Sequence, residues 1–116
     1  MSSADLLGCV VIVEVGDEEA GAKVARNLAA RGAAVVVAGT DEKKLGVVVG
    51  EIAASGGKAR HAVGELSCAR DKAMTAFGSI AFVVTRESQI RAQDENAIAH
   101  ELIRAWRDRA SPSKYR

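Results

Sequence analysis

With 116 residues, the chain has room for one domain, and its composition is ordinary for a globular protein, with 48% apolar and 27% charged residues. A net charge of +1 argues against a general nucleic-acid binder, since such proteins are usually strongly basic. No apolar stretch is long enough to cross a bilayer, and no cationic leader precedes one, so we expect no membrane association and a soluble, cytoplasmic protein. Because only 3% of residues are aromatic, the core must consist of small aliphatic side chains, which suit a parallel sheet covered on both faces.

The first half of the chain predicts two strand–helix units. Residues 9–15 form a short β-branched run, which is typical of a buried parallel strand, and residues 18–31 then show helical periodicity. A second apolar run over residues 33–38 predicts another strand. The helix that follows it is expected to be capped by Thr40 or Asp41.

The second helix carries Gly46 and Gly50, each of which costs roughly 1 kcal/mol relative to alanine. We expect these glycines to mark a close contact, either with the sheet or with another subunit. The residues predicted to face inward are Leu45, Val48, Val49 and Ile52.

The second half of the chain is less regular. Residues 58–63 predict a third strand, residues 65–76 are poorly patterned, and residues 79–85 predict a fourth strand. One long helix is expected over residues 88–109. Its apolar stripe consists of Ile90, Ile98, Leu102 and Trp106.

Strands that alternate with helices indicate βαβ units and a doubly wound, Rossmann-like αβα fold with about four parallel strands. We expect residues 1–110 to form a single domain and residues 111–116 to form a polar tail. Trp106, with Leu102 and Ile98 on the same stripe, is either ordinary core or part of an interface, because tryptophan is favoured in interfaces.

The sequence predicts no metal site. Cys9 and Cys68 lie far apart and neither has a CxxC partner. His100 has Arg104, and no second ligand, four residues further along its predicted helix.

Two stretches resemble the short-chain dehydrogenase/reductase family. They are LAARGAAVVVAGTDEKKLGVVVGEIAASGGKARHAV over residues 28–63 and AFGSIAFVV over residues 76–84. The likeness runs from about Cys9 to Thr85 and implies a parallel sheet in the order 3-2-1-4. It also implies a shortened relative, because the chain ends before the region where the family carries its catalytic half. The helix between the third and fourth strands is expected to be shorter than in the family, because few residues separate Glu65 from Phe77.

The resemblance places the cofactor site after the strands, where the family binds NAD(P) on a T-G-x-x-x-G-x-G turn. Aligned on the first strand, this turn keeps only Gly21. The general G-x-G-x-x-G form adds Gly16 but puts Glu18 at the middle glycine. Thr40 stands where a basic residue often accepts the 2′-phosphate, and Glu65 replaces the aspartate that contacts adenine.

Acidic side chains crowd this turn at Asp17, Glu18 and Glu19. Like charges about 4 Å apart repel by roughly 1 kcal/mol even in water, and by more in a cleft. We therefore expect the chain to hold no cofactor. Catalysis in the family depends on a Tyr-x-x-x-Lys pair, and the one tyrosine here, Tyr115, has no lysine four residues on, so no catalytic residue is predicted.

These observations favour a non-catalytic, degenerate dehydrogenase-like module. It would act through homo-oligomerisation or as an accessory or regulatory subunit of a larger enzyme, and the exposed edge of the fourth strand would favour pairing. The alternative is an NAD(P)-binding or oxidoreductase subunit whose catalytic residues come from a partner chain. A receiver-like domain is a further alternative, although residues 62–65 offer no aspartate to phosphorylate.

Overall fold

The computed structural model describes residues 5–16, 18–92 and 94–110. Asp17 and the predicted tail over residues 111–116, with Tyr115, lie outside the described residues. Strands and helices alternate in the order β1 (Val10–Glu14), α1 (Ala20–Ala30), β2 (Ala34–Gly39), α2 (Glu42–Ala54), β3 (Lys58–Val63), α3 (Leu66–Phe77), β4 (Phe82–Val84), α4 (Arg86–Ala92) and α5 (Glu95–Ala110).

The four strands form one parallel sheet in the order β3-β2-β1-β4, which confirms the predicted fold and strand order. β1 lies inside the sheet, with Ile12 aligned with Val36 of β2 and Val83 of β4. Its apolar run is continuous because both of its faces are buried. A receiver domain has the strand order 2-1-3-4-5, so this topology excludes that alternative.

The two faces of the sheet are covered unequally. Val11 and Val13 belong to a large core cluster that includes residues of α1, α2 and α5, whereas Val10 and Ile12 pack in a smaller cluster with α3. Helix α5 therefore lies on the same side of the sheet as α1. Among the described helices, none combines the length and the apolar composition that crossing a bilayer requires.

Helix α1 approaches the end of β1 closely because Gly21 has no side chain. A Cβ at Gly21 would lie 2.5 Å from the carbonyl oxygen of Glu14 and 2.9 Å from the Cα of Val15. A Cβ at Gly39 would lie 2.5 Å from the carbonyl oxygen of Val15. Both glycines therefore allow backbone to pack against the end of β1.

The glycines of α2 have no such role within the described part of the chain. A Cβ at Gly46 or Gly50 would find no described atom within 4 Å, and both residues are exposed. The expected close contact with the sheet is therefore wrong. Leu45, Val48 and Ile52 are buried as predicted, so the inward face of the helix is the opposite one.

The poorly patterned segment after β3 is a complete helix, α3. Its buried residues are Ala69 and Ala73, which bring the helix close to the sheet but give the sequence only a weak apolar pattern. The predicted fourth strand is correct in place, but only Phe82–Val84 pairs with β1.

The predicted final helix is two helices, α4, which ends at Ala92, and α5, which begins at Glu95. The side chain of Asp94 accepts a hydrogen bond from the backbone N–H of Ala97 at 2.8 Å, which is the N-cap arrangement that starts a helix. The break also changes which residues face inward: Ile90, predicted in the apolar stripe, is 75% exposed, whereas Gln89 is 7% exposed.

Two glycine-to-alanine substitutions test this packing in opposite directions. Gly21→Ala pushes a methyl group into rigid backbone and should lower the free energy of unfolding by about 1–3 kcal/mol. Gly50→Ala places a methyl group in open space on a helix and should raise it by about 1 kcal/mol. Urea denaturation of both variants measures the difference, and a destabilised Gly50→Ala variant would contradict the open environment of α2.

Candidate functional site at the carboxyl edge of the sheet

All five predicted cofactor-binding positions follow the carboxyl ends of parallel strands. Gly16, Glu18 and Gly21 follow β1, Thr40 follows β2, and Glu65 follows β3. In open α/β sheets, ligands bind at this edge, where neighbouring strands connect to helices on opposite faces. The structure therefore brings the predicted positions to one edge of the molecule.

Helix α4 is fastened to the end of β1 at this edge. The backbone N–H of Arg86 donates to Oε1 of Glu14 at 2.9 Å, and Nε2 of Gln89 donates to the carbonyl oxygen of Glu14 at 2.7 Å. Gln89 is buried because it makes this second bond. Together the two bonds hold the first turn of α4 beside the turn that connects β1 to α1.

The side chain of Arg86 lies over Gly16. A Cβ at Gly16 would lie 2.7 Å from Nε and 2.9 Å from Cζ of the arginine, so a side chain at this position would require the guanidinium to shift. The same group donates to Oε2 of Glu18 at 2.7 Å. This ion pair spans the turn at the place where the family resemblance puts the cofactor's diphosphate.

The positive charge beside Glu18 changes the electrostatics of the acidic turn. The hydrogen bond from Arg86 is the largest of the causes that lower the pKa of the Glu18 carboxyl, and the charges of Arg86 and Lys44 lower that pKa further. Nζ of Lys44 also donates to the carbonyl oxygen of Glu18 at 3.3 Å. Glu19 faces another cation, Arg26, at 3.9 Å. Glu18 is therefore paired with cations from elsewhere in the fold, whereas Glu19 faces a cation of the helix that follows it, which lies closer to Glu51 at 3.0 Å.

The start of α1 offers further donors for an anion. Within the described part of the chain, no side chain caps this helix end, where Glu19 is the N-cap residue. The first backbone N–H groups of a helix carry partial positive charge and commonly bind phosphate. A guanidinium next to such a helix end adds a planar, charged donor group.

The two remaining cofactor positions flank the turn without closing it. Thr40 is exposed and does not cap α2, because the side chain of Asp41 accepts the hydrogen bond from the backbone N–H of Lys44 at 3.2 Å. Glu65 is exposed at the N-cap position of α3 and makes no side-chain capping bond there. It follows Gly64, whose φ of 124° suits glycine.

The predicted interface residues lie on α5, away from this edge. Ile98 is buried in the domain's own core, and Leu102 and Trp106 are half-buried against that core. The Trp106 ring meets the ring of Phe82 edge-on at a centroid distance of 6.5 Å. Core packing explains Ile98, and an interface role for the other two stays a prediction.

Sequence reasoning missed the cationic part of the site, Arg86 and Lys44, and the buried anchor Gln89. One signal for Arg86 was present, because it comes directly after the fourth strand and the carboxyl ends of parallel strands share an edge. The pairing with Glu18 could not be read from the sequence, since it depends on the hydrogen bonds to Glu14 that fix the start of α4.

Solved structures match this fold, while no protein-family model and no curated protein matches the sequence. A metagenomic short-chain oxidoreductase solved in complex with NADP is 33% identical, with a TM-score of 0.60 over 68% of this chain and 38% of its own. A hydroxysteroid dehydrogenase from Escherichia coli is 27% identical, with a TM-score of 0.66 over 72% of this chain and 39% of its own. A citronellol catabolism dehydrogenase from Pseudomonas aeruginosa PAO1 is 26% identical, with a TM-score of 0.64 over 72% of this chain and 37% of its own.

The fold and its edge thus define a Rossmann-like α/β unit. The matches confirm its resemblance to the short-chain dehydrogenase/reductases, of which the chain spans well under half the length. They also correct the prediction that the chain holds no cofactor, because a matched structure contains NADP and the neighbours point to a nucleotide cofactor. The prediction treated the acidic turn as uncompensated, whereas Arg86 and Lys44 lie against Glu18.

The Glu18–Arg86 pair predicts a measurable titration. In the unmodified protein, the Glu18 carboxyl should titrate below its ordinary pKa, and in Arg86→Gln its pKa should rise toward that value. Carbon-detected NMR of the side-chain carboxyl measures both. Because the folded-state pKa is lowered, the pair's contribution to stability is present above the ordinary pKa and is lost as the pH falls through the lowered one. An unchanged Glu18 pKa in Arg86→Gln would contradict the pairing.

Proposed function

We propose that the chain is the NAD(P)-binding part of a dehydrogenase-like oxidoreductase and that it binds the dinucleotide across the carboxyl edge of its sheet. The observation that carries this proposal is the turn after β1, where the guanidinium of Arg86 lies over Gly16 next to the start of α1. The 33% identical structure with NADP supports the proposal.

The residues at the edge fit such a ligand with one departure from the family pattern. Gly21 brings α1 against β1, and the uncapped start of α1 faces the edge with Gly16. Glu18 is the departure, since an acid stands where the family has a glycine, but its charge is paired with Arg86. The diphosphate would be held by Arg86 and the first turn of α1, with Thr40 and Glu65 toward the adenosine end.

A bound nicotinamide dinucleotide supplies hydride transfer, and the protein's part is to bind and orient it. The 116 residues contain no Tyr-x-x-x-Lys pair to move the accompanying proton. We therefore assign binding to this chain, and the proton-transferring groups to a partner chain or to protein beyond these residues.

A second candidate function is that of an accessory module that acts by association, as a homo-oligomer or with a larger enzyme. Two large apolar side chains favour it, because Leu7 is 68% exposed and Ile90 lies on the outer side of α4. Leu7 lies at the amino edge of the sheet and Ile90 lies on α4 at the carboxyl edge, so each would mark its own contact with a partner.

Nitrogen–proton NMR titration with NAD⁺ and NADP⁺ tests dinucleotide binding directly. We expect saturable shifts at Gly16, Gly21 and Thr40, with a Kd on the order of 100 μM, or about −5.5 kcal/mol. Gly57 is an internal control, because it lines a separate cavity of about 400 Å³ at the opposite edge of the sheet. Chemical-shift changes confined to the residues of that cavity, or no chemical-shift changes at millimolar ligand, would contradict the proposed function.

Sedimentation analysis tests the accessory role. If association uses the exposed side chains, Leu7→Ser and Ile90→Ser should each shift the protein toward monomer without loss of helical circular dichroism. Val47→Ser is the matched control, since Val47 is also exposed but lies on α2. A strict monomer at high concentration would contradict homo-oligomerisation.

A further inference from the structure

We propose that Arg86 is the diphosphate-binding residue of this edge, and that Glu18 holds its guanidinium until a dinucleotide replaces the carboxylate. This inference rests on the proposed function, since it assigns the binding of the diphosphate to one residue. It differs from the glycine-rich turn of the resembled family, where backbone amides do this work.

The position of Arg86 is fixed by the start of α4. Its backbone N–H donates to the side chain of Glu14 at 2.9 Å, and Gln89 holds the same first turn of α4 to the carbonyl oxygen of Glu14 at 2.7 Å. The guanidinium therefore stays within reach of the turn after β1, and only side-chain torsions can move it. A cation is thus held permanently at the edge of the sheet.

The guanidinium of Arg86 occupies the space over Gly16. The guanidinium lies so close to Gly16 that a Cβ there would approach its Nε to 2.7 Å. A diphosphate approaching the backbone at Gly16 must therefore either displace this group or bind to it. Binding is favoured, because the planar guanidinium matches the geometry of phosphate oxygens and donates to two of them at once.

Glu18 is a weaker partner for Arg86 than a diphosphate would be. Its pair with Glu18 is half-exposed, at 53% for the arginine and 48% for the glutamate side chain, and ion pairs in such positions are weak. A diphosphate carries more negative charge than one carboxylate and is also drawn to the start of α1. The main-chain oxygen of Glu18, and not its carboxylate, accepts the bond from Nζ of Lys44, so this contact does not stop the side chain of Glu18 from turning away.

If a diphosphate replaces Glu18 on Arg86, two substitutions in the full chain should change NADP⁺ affinity in opposite directions. Removing the competing charge in Glu18→Gln should tighten NADP⁺ binding up to about fivefold, the effect expected for an exposed ion pair. Removing the donor in Arg86→Gln should weaken binding by about tenfold or more, as for a lost charge-assisted hydrogen bond.

Two matched controls separate the exchange from a general charge effect. Glu19→Gln removes an adjacent acid that faces Arg26, and Arg91→Gln removes an arginine of α4 that pairs with Glu87. Both should leave the Kd within about twofold of the unmodified protein by calorimetry. Arg86→Lys keeps the charge but loses the planar donor pair, so it should bind more weakly than the unmodified protein and more tightly than Arg86→Gln.

Parallel titrations with NADP⁺ and with inorganic pyrophosphate distinguish the failure of this inference from the failure of the proposed function. If NADP⁺ binds with a Kd that substitutions at Glu18 and Arg86 do not change, the inference is overturned and the proposed function stands. Pyrophosphate binding that depends on Arg86, without any NADP⁺ binding, overturns the function and supports the diphosphate residue. Weaker binding in Glu18→Gln, equal gains in Glu19→Gln, or no binding of either ligand to any variant overturns the inference.

Discussion

Glu14, the last residue of β1, accepts hydrogen bonds from α4 through both its side chain and its main-chain carbonyl, and the candidate site depends on these two bonds. They set the direction in which α4 leaves the sheet and so place Arg86 over Gly16. They also account for the one polar residue that is buried among the described residues, Gln89. The site is therefore built on the end of the central strand, where the close approach of α1 at Gly21 leaves little room for adjustment.

Charge at this edge is organised by contacts between residues that are distant in the chain. Taken along the sequence, the turn after β1 is a run of acids that should repel phosphate. In the folded protein, Glu18 lies against cations contributed by α2 and α4. The edge thus carries a guanidinium that is held by a weak, replaceable partner, which is a suitable starting state for binding an anion.

The strands and their order were predictable because the chemistry of a central parallel strand is local: a short, continuous β-branched run is typical of a strand that is buried on both faces. The chain's likeness to a known family then supplied the order. Helix α3 was expected only as a shortened helix, and its 12 residues were poorly patterned because its inner face is made of Ala69 and Ala73, which contribute little apolar contrast. The boundary before α5 depends on a single cap at Asp94, and the inward turn of Gln89 instead of Ile90 depends on a bond to Glu14.

The positions of the candidate site were likewise predictable, since each follows a parallel strand, but their chemistry was not. Gly16 looked like a remnant of a phosphate turn, whereas the structure shows that its missing side chain admits Arg86. No local pattern predicts that contact. It arises because β1 and β4 are neighbours and their carboxyl ends open onto the same edge.

A crystal structure of the protein with NADP⁺ tests the account most directly. The account predicts that the dinucleotide lies across the carboxyl edge, with its diphosphate within hydrogen-bond distance of the Arg86 guanidinium and the Glu18 carboxylate turned away. A dinucleotide bound in the cavity at the amino edge, or one lying over Gly16 while Arg86 still pairs with Glu18, would contradict it.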